Sequence, residues 1–164
     1  MKTRRLGTQG LETSALGHFM RESGPWTYAI VNLAHILGIA SLFGAILILD
    51  LRLLGVRRQT PLAAIADAVV PVAAVGLALA VLSGIGLFAT KATEYADNPF
   101  IYVKFPAIAI GLVNAIVLHL TPAWRERGTR ELSPAENRRL AWVGATSLMC
   151  WLTAISAGRL IGYW

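Results

Sequence analysis

The side chains in this chain best suited to hold a metal or haem iron are three histidines, one cysteine and three methionines. Four of them, His35, His119, Met149 and Cys150, lie inside long runs without a single Asp, Glu, Lys or Arg. Neutral imidazole is a common ligand for haem iron and copper. An ionisable residue inside an apolar run is a functional candidate by default. His35 follows Trp26 by nine residues, about 14 Å along a helix, close to the middle of a span. Asn32 and Gly38 stand one turn to either side. The first is placed to orient the ring, and the second to leave room for something flat or bulky.

His119 comes fifteen residues after Lys104, about 22 Å along its helix and therefore nearer the opposite face. A haem clamped between His35 and His119 has to bridge an offset of roughly 8 Å. His35 is thus the stronger ligand candidate, and His119 is expected to pack or hydrogen-bond at a helix interface. Met149 and Cys150 lie about 15 Å past Arg139 and match His35 better in depth. His35 with Met149 is a chemically sensible haem pair, and His35, Met149 and Cys150 together make a copper set. The same two residues are also ordinary filler in packed interiors. Arg159 can neutralise haem propionates or snorkel to the surface. His18 stands just outside the apolar segments. Asp50 and Arg52 are two residues apart and so do not face each other. Asp50 is expected to form a salt link with a basic loop residue, with proton entry as the alternative.

The elements that must position these groups are the uncharged runs themselves, residues 23–49, 68–90, 105–124 and 140–158. Each is near the roughly 20 residues needed to cross a hydrocarbon core. Backbone amides find no partner in lipid, so each span must be helical. The predicted fold is an all-α integral membrane bundle of four antiparallel helices, over 25–50, 67–90, 102–121 and 139–162. A short amphipathic interfacial helix over 11–22 precedes them, with Leu11, Ala15, Leu16, Phe19 and Met20 on one face. The basic start Met1-Lys2-Thr3-Arg4-Arg5 lacks the apolar core of a cleavable signal. Small residues at four-residue steps, Gly76/Ala80/Gly84, Ala107/Gly111/Ala115 and Cys150/Ala154/Gly158, provide faces for close helix packing. Ser133-Pro134-Ala135-Glu136 reads as a helix start with a serine cap.

A net charge of +6 and a pI near 10.1 accompany only 15% charged residues. The basic residues flank the spans, where lipid headgroups and topology account for them, and nucleic-acid binding is not expected. Eight Lys/Arg residues on the loops after the first and third spans face seven on the other side. This places both termini on the periplasmic face of a bacterial inner membrane. Trp26, Tyr28, Tyr95, Tyr102, Tyr163 and Trp164 form an aromatic belt there, with Trp124 and Trp142 at the inner face. One cysteine excludes an internal disulfide. The uncharged runs hold no carboxylate or lysine for ion coupling. No motif for hydrolysis or nucleotide binding is present.

The segment Ala34-His35-Ile36-Leu37-Gly38-Ile39-Ala40, continued by Phe43-Gly44-Ala45 and Asp50-Leu51-Arg52-Leu53-Leu54-Gly55, resembles a family of uncharacterised bacterial four-helix membrane proteins. Ser83-Gly84 with Phe88, Asn98-Pro99 with Lys104, Asn114 with His119, and Gly158-Arg159 match as well. More distantly the chain is similar to the membrane domain of copper-resistance protein D and to b-type cytochrome bundles. That resemblance implies an intramembrane histidine serving haem or copper. Three functions stay open: a redox module holding haem b through His35 between quinone and a periplasmic partner, a cofactor-free anchor or accessory subunit, and copper handling. The expected partners are the lipid bilayer and a second copy or other subunits of a membrane complex.

Overall fold

The computed structural model describes residues 13–15, 19, 22, 24–90 and 97–163. The interfacial helix expected over 11–22 falls largely outside these residues, as do His18, Tyr95 and Trp164. Four long helices dominate: α1 (Gly24–Leu53), α2 (Leu62–Thr90), α3 (Ile101–Leu120) and α5 (Pro134–Leu160). A single turn, α4 (Pro122–Arg125), follows α3, and a 3-10 turn (Ile161–Tyr163) follows α5. All four long helices are long and apolar enough to span a membrane, and no strand occurs among the described residues.

The helices extend past the uncharged runs, because a helix continues until its backbone is capped. Asp50 and Arg52 thereby enter α1, Asp67 enters α2 and Lys104 enters α3. The helices thus carry carboxylate and lysine side chains near their ends, although the uncharged runs within them do not. α1 stops at a Schellman motif: Val56 N–H bonds Leu51 O at 2.9 Å and Gly55 N–H bonds Arg52 O at 3.1 Å. Gly55 has φ +102°, a left-handed conformation open to glycine. α5 starts with a full capping box, the Ser133 hydroxyl accepting from Glu136 N–H and the Glu136 carboxylate accepting from Ser133 N–H at 2.8 Å. Arg130 binds the same carboxylate at 2.6 Å. Ser133→Ala is expected to cost about 1 kcal/mol, read as a lower thermal midpoint in detergent with helix content retained.

The spatial order is α2–α1–α5–α3: α1 packs on α2 and α5, and α5 packs on α3. Consecutive long helices run antiparallel through short connections. The predicted small-residue faces make the contacts. Gly76 abuts the main chain of Leu42 and Gly38, and Gly38 abuts that of Ala80. Gly111 packs on Trp151 and Cys150, and Gly144 on Leu53 and Asp50. α2 and α3 meet through the Phe88–Phe105 edge-on pair (6.2 Å), and Asp67 of α2 pairs with Arg127 of the loop after α4 at 2.8 Å. At the basic end of the bundle, Leu49, Leu53, Leu62, Ala66, Leu118, Ala123, Trp124 and Leu140 form one apolar cluster. Trp124 is 3% exposed and so belongs to the core, not to an interfacial belt. Trp26, Tyr102, Trp142 and Tyr163 are exposed as belt residues should be.

Candidate functional site

The interior polar group with the most developed surroundings is His35. Its position on α1 faces α2, where Gly84 has no side chain, and the ring fills that space: a Cβ on Gly84 would lie 3.0 Å from His35 Cε1. His35 Nδ1 is 2.9 Å from Ala80 O and 3.1 Å from Ser83 Oγ. A carbonyl can only accept, so Nδ1 carries the hydrogen. The Ser83 hydroxyl in turn donates to Leu79 O on its own helix, which leaves its oxygen free to accept from the imidazole. Three positions of one α2 face, Ala80, Ser83 and Gly84, thus fix the ring in place. Nε2 is left without a hydrogen-bond partner among the described residues. Lys104 of α3 is the charged group close enough to act on His35. Its side chain runs alongside Gly158 of α5, with Nζ 3.5 Å from where a Cβ would stand there.

Gly38 does not leave room for a bulky group. A Cβ there would meet Ala80 N at 2.7 Å, so the backbone of α2 already occupies the space. A flat macrocycle therefore has no slot on the α1–α2 side of His35. One oriented imidazole suits a single axial position, and the other candidates do not come to it. Asp50 touches α5 at Gly144 and Ser147, and His35 lies fifteen residues, about 22 Å, away along α1. Met149 is two residues from Ser147 on α5, hence near the level of Asp50 rather than that of His35. It points outward at 65% exposure. Cys150 packs toward Gly111 of α3. No cluster of three or more His, Cys, Asp or Glu side chains with metal-binding geometry occurs among the described residues.

His119 sits at the basic end, fifteen residues along α3 from Lys104. Its Nδ1 bonds Ala115 O one turn back at 2.8 Å, and its ring tilts over Trp124 at 5.3 Å. The structure does not bring it to His35. Arg159 curls onto Tyr163, with its guanidinium 4.7 Å from the ring centroid and hydrogen-bonded to the phenol oxygen.

Asp50 corrects a further expectation. It is 2% exposed and pairs with no cation; Arg52 binds Thr60 O and Arg58 O instead. Ser147 of α5 lies close to the Asp50 side chain, and Oδ2 is buried with no partner among the described residues. The sequence alone does not reveal this burial, nor that Lys104, inside the helix expected over 102–121, comes close to His35.

Four apolar membrane-length helices around a hydrogen-bonded interior histidine define a multi-pass α-helical membrane protein. The chain belongs to DUF6644, a family of unknown function whose model matches residues 9–164. No curated protein and no solved structure matches the chain, so the more distant likeness to copper-resistance protein D and b-type cytochromes gains no support.

Proposed function

We propose that this chain is an anchoring or accessory subunit of a larger membrane complex, in which the interior His35 holds α1 and α2 in register. The observation that carries this reading is the engagement of His35 Nδ1 with Ala80 O and Ser83 Oγ across the α1–α2 interface. Its ring packs on Gly84, as an interhelical clamp should. His119 bonds a carbonyl of its own helix, Ala115 O, and takes no part in the clamp. The Lys/Arg balance supports a bacterial inner membrane with both termini periplasmic.

A second reading, a redox module with haem b on His35, is favoured by one specific feature. A hydrogen bond from Nδ1–H to a carbonyl is how ligating histidines are oriented, with the Nε2 lone pair left for iron. An absorption spectrum of detergent-purified protein separates the two. Under the clamp reading the preparation has no Soret band, and His35→Ala lowers the thermal midpoint by about 1 kcal/mol equivalent without changing the spectrum. A Soret band abolished by His35→Ala overturns the clamp reading in favour of haem.

A further inference from the structure

At the basic end, where α2 and α3 part, a cleft of about 540 Å³ opens. One wall is apolar, formed by Ala66, Val70 and Pro71 of α2. The rim carries His119, Arg125 and Arg127, with Asp67 opposite. We propose that this cleft binds an anionic phospholipid, with its phosphate at the rim and an acyl chain along the apolar wall.

The charge pattern at the rim points to this ligand. Arg127 is already committed. It is ion-paired to Asp67 at 2.8 Å, donates to Trp124 O at 2.9 Å and lies 4.3 Å over the Trp124 ring. Asp67 is thereby neutralised and does not repel an anion. Arg125 is not committed in this way: its Nε reaches His119 O at 3.3 Å, while its two Nη groups have no acceptor among the described residues. A guanidinium fork with both Nη groups free matches the two free oxygens of a phosphodiester. The rim lies at the end of α3 and within the first turns of α2, the level at which headgroups meet protein. Basic pockets between membrane helices bind anionic lipid in this manner.

The test uses the full chain in detergent, titrated with phosphatidylglycerol, phosphatidylcholine or inorganic phosphate, and read by native mass spectrometry and thermal midpoint. Retention of phosphatidylglycerol and a raised midpoint are expected, with neither effect from phosphatidylcholine or from phosphate alone. Arg125→Gln is expected to weaken retention about fivefold. Arg138→Gln, on the same face but outside the cleft, is expected to leave retention unchanged; circular dichroism confirms that each variant keeps its helices. Equal retention of the two lipids, or unaltered retention in folded Arg125→Gln, overturns the proposal. A midpoint shift reproduced by inorganic phosphate makes the site a free-phosphate site and overturns the lipid assignment.

Discussion

Gly38→Val is expected to lower the stability of the bundle by at least about 3 kcal/mol, the upper part of the usual range for overpacking. In lipid the association of helices depends on close backbone approach rather than on apolar burial, and α1 and α2 meet glycine to backbone. A Cβ on Gly38 would lie 2.7 Å from Ala80 N and 3.0 Å from Gly76 O. These are main-chain atoms that no side-chain rotation can move aside, so the helices must separate. Separation also breaks the His35 contacts one turn away, because Ala80 is at once the residue Gly38 touches and the acceptor for His35 Nδ1. Gly76→Val meets the same obstacle from the other side, at 2.6 Å from Leu42 N. Gly44 supplies the control: it lies on the same helix with nothing within 4 Å of its Cβ position, and Gly44→Val should change little. Thermal midpoints of the three variants in one detergent check the ranking. Similar losses at Gly38 and Gly44 would exclude the backbone contact as the cause.

These contacts show which parts of the structure were open to sequence reasoning. The uncharged runs, the four-residue spacing of Gly76, Ala80 and Gly84, and the Ser133 cap depend on residues near one another in the chain. Each is visible as composition or periodicity. The surroundings of His35 were not, because they depend on the register between α1 and α2. That register decides that Gly84 receives the ring and that Gly38, which looked like open space, is filled by a neighbouring backbone. Depth estimates along single helices did separate His35 from His119. They do not fix the level of Met149, because that depends on the register between α1 and α5, which sets Ser147 close to Asp50. The approach of Lys104 to His35 likewise depends on how α3 packs and not on where it begins. Trp124 resembles a belt residue in sequence and becomes a core residue once α4 turns it under the bundle.

Asp50→Leu is expected to raise the thermal midpoint, by the equivalent of about 1–3 kcal/mol, the penalty for a buried polar group left without a partner. The carboxyl is 2% exposed, its Oδ2 meets no donor, and no cation lies against it. Apolar replacements of buried ionic groups are often neutral or stabilising for this reason. Ser147→Ala should act in the opposite direction, since it removes the hydroxyl that lies close to the Asp50 carboxyl and leaves that carboxyl in a less polar setting. A double-mutant cycle makes the argument exact in sign: Ser147→Ala costs stability when Asp50 is present and is close to neutral in the Asp50→Leu background. A destabilising Asp50→Leu, or equal effects of Ser147→Ala in both backgrounds, would show that the carboxyl is compensated by something other than Ser147. An ionisable residue inside a membrane helix that weakens its own fold is a functional candidate. If the cycle comes out as expected, Asp50 becomes the first residue at which to look for an activity that folding alone does not require.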